Sequence, residues 1–127
     1  MLSGPPGSGK TTKSIKIASV TNSVLLCYDD IRSNSKSSHD ETLESIVQSI
    51  IRNLKNEENV VYDSVNRRKD ERIKILNSIR DIACKKIAVV ISTSLEECLR
   101  RNSQRSGWSR LPDFVVKDIH DRFESPT

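Results

Sequence analysis

Gly4-Pro5-Pro6-Gly7-Ser8-Gly9-Lys10-Thr11 decides the fold. It follows a short run, residues 1–3, that reads as the end of a strand, and it precedes a helical pattern over residues 10–18. Between a strand and a helix this stretch fits Gly-x-x-x-x-Gly-Lys-[Ser/Thr], the Walker A pattern. Its glycines let successive backbone N–H groups turn inward as an anion nest, and the helix N-terminus adds its dipole. Gly4, Gly7, Ser8 and Gly9 are therefore candidates to wrap a polyphosphate. Lys10 can reach its β- and γ-phosphates, and the Thr11 hydroxyl can ligate Mg²⁺. Thr12, in the first helical turn, either joins this site or is ordinary helix surface.

Outward from the loop, apolar runs alternate with helical patterns, the mark of βαβ units and a parallel sheet. Residues 24–28 (Val-Leu-Leu-Cys-Tyr) and 86–91 (Lys-Ile-Ala-Val-Val-Ile) read as fully buried strands, and 59–62 as a strand ending in Asp63. The polar stretch 32–39 shows no periodicity and reads as a mobile loop. Asp40 is read as the cap of a helix with Leu43, Ile46, Val47, Ile50, Ile51 and Leu54 on one face, and Asn66 as the cap of a helix reaching Cys84. Ser94 starts a helix over 95–102, and Pro112 opens a last one over 113–123. The expectation is a three-layer α/β P-loop NTPase fold: a short parallel sheet of about four strands, flanked by helices, with a helical lid. One domain would cover 1–127, with the lid at about 100–112. Only three residues precede Gly4 and no fifth strand follows the lid helix, so both ends read as short for such a fold.

The 127 residues suit one compact domain that buries roughly two-thirds of its unfolded surface. Five aromatic residues argue against a sheet that stacks exposed bases, and apolar runs of five residues are too short to span a membrane. The first residues lack the pattern of a secretory signal. Cys27, Cys84 and Cys98 are odd in number and widely spaced, which favours reduced structural thiols and a cytoplasmic location over a redox or metal site. A net charge of +4 is compatible with an anionic partner.

Three further constellations carry chemistry. Asp29-Asp30-Ile31-Arg32 follows the second strand, and ligands of parallel sheets sit outside the carboxyl ends of strands. There Asp29 can accept a proton from an attacking hydroxyl and Arg32 can hold an anionic group; the bland alternative is a helix cap with a solvated partner. Asp63 has the strand-end place of an acid that holds Mg²⁺ or its water, or else is a turn residue. The segment Arg100-Arg101-Asn102-Ser103-Gln104-Arg105-Ser106-Gly107-Trp108-Ser109-Arg110 reads as a mobile cationic lid. Arg101 and Arg105, four apart, would share a helix face and converge on one phosphate. Arg100 and Arg110 read as solvated, and Trp108 as packing under the lid.

No Asn-Lys-x-Asp or Asp-x-x-Gly motif of GTPases is present, and Asp63 is followed by Ser64 rather than the second acid of a motor ATPase. Small phosphotransferases remain. The P-loop, then Asp-Asp-Ile-Arg, then Arg-Asn-Ser-Gln-Arg together resemble the kinase domain of phage-type 5′-OH polynucleotide kinases, from Gly4 to about Pro126. The lid and the final stretch are also similar to seryl-tRNA kinases. The resemblance implies ATP and Mg²⁺ as cofactors. It also implies Asp29 as general base, Arg32 on the acceptor's phosphate, Lys10 and Thr11 on nucleotide phosphates and metal, and Arg105, with Arg101, on the donor phosphates. The function so implied is transfer of the γ-phosphate of ATP to a hydroxyl, foremost the 5′-OH of a polynucleotide. The alternatives are an aminoacyl-tRNA or small-metabolite hydroxyl, or a nucleotide-binding module without transfer. The expected partners are a nucleoside triphosphate and a nucleic-acid acceptor, with no membrane and no obligate protein partner.

Overall fold

The computed structural model describes residues 1–66 and 68–125; the side chain of Trp108 lies outside what is described. The elements run β1 (Leu2–Ser3), α1 (Lys10–Thr21), β2 (Val24–Cys27), α2 (Tyr28–Ser35), α3 (His39–Lys55), β3 (Val60–Asp63), α4 (Lys69–Ser78), β4 (Val89–Val90), α5 (Leu95–Ser103) and α6 (Asp113–Asp121), with a 3₁₀ turn at Gly107–Ser109. Among the described residues four parallel strands form one sheet in the order β2-β3-β1-β4. Its register pairs Leu2 with both Asp63 and Val89, and Cys27 with Asp63. The carboxyl ends of β1, β2 and β3 are thereby level, and the loops that follow them share one rim of the sheet.

Side chains alternate across the sheet, so neighbouring residues of β3 serve opposite layers. Tyr62 packs on one face with Ile46, Val47 and Ile50 of α3, Ile75 of α4 and Ile79. Val61 packs on the other with Leu2 and with Ala18 of α1. This is the three-layer α/β architecture expected from the alternating pattern.

Several local expectations are corrected. The two runs read as fully buried strands are the edges of the sheet: all of β2 is half-buried and Val90 is exposed. An edge strand has a neighbour on one side only, whatever its hydrophobicity. Half of the stretch read as a mobile loop, residues 32–35, belongs to α2, a helix with no fully buried residue, so no apolar periodicity could mark it, and its last residue, His39, opens α3. Ser38, not Asp40, caps α3: its Oγ accepts from Glu41 N at 3.2 Å and donates to Glu41 Oε1 at 3.0 Å, a Ser-x-x-Glu cap. Asn66 caps no helix. It lies at φ 47° in the left-handed region, which asparagine tolerates, and its Nδ2 donates to the Leu2 carbonyl at 2.7 Å. That bond ties the loop after β3 to β1, and α4 starts only at Lys69.

Candidate active site

The loop from Gly4 to Gly9 turns on its glycines where the backbone demands them. Gly7 and Gly9 lie at φ 78° and 89°, and Gly9 caps α1 from that left-handed position. A Cβ on Gly7 would stand 2.5 Å from the Cys98 carbonyl oxygen, so the first turns of α5 press directly on the loop. Thr93, just before α5, adds a second tie: its Oγ1 donates to the Ser8 carbonyl at 2.9 Å. His120 Nε2 on α6 lies 3.2 Å from the Thr93 carbonyl. Cys98 is thus a packing residue, and burial pushes its thiol up from the ordinary range.

Lys10, the first residue of α1, is buried, and its Nζ stands 3.9 Å from Asp63 Oδ1. The other oxygen, Oδ2, accepts a 2.9 Å hydrogen bond from Ser14 Oγ. Asp63 is only 2% exposed. Burying a carboxylate so fully is costly unless charged and hydrogen-bonding partners stand beside it, as Lys10 and Ser14 do. Ser14 belongs to the site, yet its residue type gives no sign of it. The backbone of Thr11 opens α1 next to Lys10, while the Thr11 and Thr12 side chains are exposed. Inside the loop the Ser8 hydroxyl is buried without a hydrogen-bond partner, as is Ser3 Oγ beneath it.

Within residues 100–110 it is Arg101 that reaches the loop. Its Nη1 donates to the Gly7 carbonyl at 3.4 Å, and its Nε to Glu97 Oε1 at 2.9 Å. Glu97 also takes both Arg100 nitrogens, and these hydrogen bonds, Arg100's first, hold its carboxyl down to about 2. Arg105 does not share a helix face with Arg101. Helix α5 ends at Ser103, and Arg105 lies beyond it, exposed, donating to Ser109 O at 3.5 Å. The turn is held by buried Asn102, whose Nδ2 donates to Leu111 O at 2.7 Å and whose Oδ1 accepts from Leu111 N at 3.0 Å.

Asp29 and Arg32 lie on the first turns of α2, which begins where β2 ends, and both are exposed. They stand on the same rim as Asp63, since Cys27 and Asp63 are paired. Among the described residues neither is hydrogen-bonded to the P-loop. Arg32 instead donates to the Tyr28 hydroxyl at 3.3 Å.

The site as drawn lies at the carboxyl rim. A cleft of about 850 Å³ opens elsewhere, at the opposite end of the strands, between residues such as Met1, Ile17, Leu54, Val60 and Val89. Its lining is mostly apolar, with Glu57, Glu58, Arg72, Lys85 and Lys86 among it, and it holds none of Lys10, Asp29, Arg32, Arg101 or Arg105. No helix among the described residues is long and apolar enough to cross a membrane.

A family model described as AAA domain matches residues 1–126. The crystal structure of a gluconokinase from Sinorhizobium meliloti 1021 superposes with a TM-score of 0.72 at 20% identity, covering 98% of this chain and 74% of that one. The likeness is one of fold, the P-loop kinase fold. No curated protein matches the chain in sequence.

Proposed function

Because the chain belongs to the AAA domain family and has a P-loop kinase fold, we propose that it is a phosphotransferase moving the γ-phosphoryl group of ATP to the hydroxyl of a small metabolite. The observation that carries this reading is the pairing of Lys10 with Asp63 below a glycine loop that holds a buried, unpartnered Ser8 hydroxyl. A cationic side chain, an anionic one and unfilled polar capacity converge where a helix N-terminus already favours anions.

In this reading the backbone N–H groups around Gly7, Ser8 and Gly9 wrap the donor phosphates, and Lys10 neutralises the β- and γ-oxygens. Thr11 and Asp63 are the residues that would hold Mg²⁺, and the buried carboxylate with its flanking hydroxyls suits a hard cation that prefers oxygen. Held there, Mg²⁺ would supply positive charge against the donor phosphates. Asp29 accepts the proton of the acceptor hydroxyl as the oxygen–phosphorus bond forms and the bond to the β-phosphate oxygen breaks. Arg32 holds an anionic group of the acceptor. Arg101 bears on the loop, and Arg105 swings in when residues 100–112 close as a lid over a site contained in the one domain, 1–127.

The gluconokinase likeness supports a sugar acid or a similar small hydroxyl compound as acceptor. A second reading, the 5′-OH of a polynucleotide, is favoured by the exposed Arg105 and Arg110 and by the net charge of +4. The two separate in one experiment. The protein with γ-labelled ATP and Mg²⁺ is offered gluconate, 5′-OH DNA and RNA oligonucleotides, or bulk tRNA. Label on gluconate supports the metabolite reading, and label on oligonucleotide ends or tRNA replaces it. ATP binding without label on any acceptor makes the chain a nucleotide-binding module.

A further inference from the structure

Around Arg32 the structure holds a chain of polar contacts that phosphoryl transfer does not by itself require. Arg32 Nη1 lies 3.3 Å from Tyr28 Oη, which lies 2.6 Å from His39 Nδ1, and His39 Nε2 lies 3.2 Å from Glu71 Oε1. These four residues come from α2, from the first residue of α3 and, across β3, from α4. The Tyr28 and His39 rings meet tilted at 58° with centroids 5.5 Å apart.

The chemistry of the end groups gives the chain one direction. A guanidinium only donates, so the Tyr28 oxygen is an acceptor toward Arg32. An ionised carboxylate only accepts, so His39 Nε2 must carry the hydrogen facing Glu71. A neutral imidazole with its hydrogen on Nε2 has a bare Nδ1, which is what the Tyr28 proton needs. Burial pushes the Tyr28 phenol up, which keeps that proton in place, with Arg32 acting against it. With the imidazole neutral every donor then meets an acceptor, and the other neutral tautomer would set a bare Nε2 against the Glu71 carboxylate.

We propose that Tyr28, His39 and Glu71 are positioning residues that hold Arg32 at the acceptor side of the site through this one-way relay. The consequence is for acceptor recognition. Arg32 is a long, exposed side chain whose free rotamers would oppose ordered binding. Tethering its guanidinium through Tyr28 to two other helices leaves its remaining N–H groups available to an anionic group of the acceptor. The proposal rests on the phosphotransferase reading only for what the relay serves; the relay itself is a property of the free protein.

The test reads the relay first. Long-range ¹⁵N–¹H correlation spectra of the free protein at about pH 8, where an ordinary histidine is neutral, should show His39 as a single tautomer with hydrogen on Nε2. Glu71→Ala, which removes the acceptor that fixes the hydrogen on Nε2, should release it into a mixture. A wild-type mixture, or hydrogen on Nδ1, overturns the proposal whether or not the protein is a kinase. Kinetics then use gluconate or a 5′-OH oligonucleotide, whichever accepts phosphate. His39→Ala should raise the acceptor KM about fivefold, with kcat and the ATP KM within about twofold. His39→Asn, whose carbonyl can take the Tyr28 proton, should recover most of the loss. A fall in kcat, or an ATP KM that rises with the acceptor KM, overturns the positioning role. Failure of the wild type to phosphorylate either acceptor counts against the kinase reading, and the tautomer result still decides the relay.

Discussion

Lys10 Nζ stands 3.9 Å from Asp63 Oδ1, joining the first residue of α1 to the last residue of β3 inside the protein. Neither charge is left alone in a site that hides both from water. The pair is long for a salt bridge, and Ser14 completes the carboxylate's environment from one helical turn beyond Lys10. The free protein thus keeps its cation and anion ready at the spot where a triphosphate and its metal would separate them.

Ser14 should matter to metal and not to phosphate. Its Oγ has a single hydrogen, shared between Asp63 Oδ2 and the Thr11 carbonyl at 2.8 Å. Ser14→Ala leaves the P-loop backbone intact but frees the Asp63 carboxylate to turn. Isothermal titration should then give an affinity for Mg²⁺-ATP about tenfold weaker, with metal-free ATP within about twofold. Equal weakening of both would show that Ser14 supports the loop instead.

Gly7→Ala should be among the most damaging small substitutions in the chain. The residue lies at φ 78°, where an L side chain is strained, and its new Cβ would stand 2.5 Å from the Cys98 carbonyl oxygen. Backbone cannot yield as a side-chain tip can. We expect a loss of about 3 kcal/mol in urea unfolding, together with loss of ATP binding. Gly107→Ala, also at positive φ but with open space around it, should cost less.

The two lid arginines should part company. Arg101→Ala removes the contact to the Gly7 carbonyl and leaves Glu97 beside the loop with Arg100 alone. Its mark should be a raised ATP KM of about fivefold. Arg105→Ala removes an exposed side chain whose guanidinium donates to the Ser109 carbonyl in the free protein, so its loss should appear in kcat, on the order of a hundredfold. Steady-state kinetics separate the two, and a shared pattern would mean that Arg105 is only surface.

Tyr62 gives a prediction at alkaline pH. Its hydroxyl is buried with no hydrogen-bond partner; Ser64 lies near without completing one, and burial raises the phenol far above its ordinary value. In the unfolded chain a tyrosine ionises near pH 10, whereas the folded protein keeps this one neutral. Its contribution is therefore complete below about pH 10 and lost as pH rises beyond it. Tyr62→Phe should blunt that loss and at neutral pH leave stability unchanged or raised by up to about 1 kcal/mol. Urea unfolding at about pH 7 and about pH 10.5 checks both parts. A neutral-pH loss above about 1 kcal/mol would contradict the unpartnered hydroxyl.

The sequence made the P-loop legible because its glycines, lysine and threonine have to be local to work. Asp63 was legible for a related reason: a carboxylate at a strand end needs only the strand to be found. Hydrophobic periodicity failed where burial was absent or one-sided. Helix α2 has no fully buried residue, only the half-buried Tyr28 and Ile31 against the core, and β2 and β4 are apolar edges whose place depends on strand order. Ser14 and Thr93 escaped because their partners, Asp63 and the Ser8 carbonyl, lie 49 and 85 residues away. Asn66 looked like a cap because asparagine suits both a cap and a left-handed turn, and only the neighbouring Leu2 carbonyl decides between them.

The central claim, that Asp29 takes the acceptor proton while the P-loop binds the donor, is tested by separating binding from transfer in Asp29→Ala. ATP affinity and phosphoryl transfer are measured on the same preparation, with Lys10→Ala beside it. Our account predicts ATP binding within about twofold of wild type and transfer lowered by at least about a hundredfold, whereas Lys10→Ala loses both. Transfer that survives in Asp29→Ala, or ATP binding that disappears with it, would contradict the account.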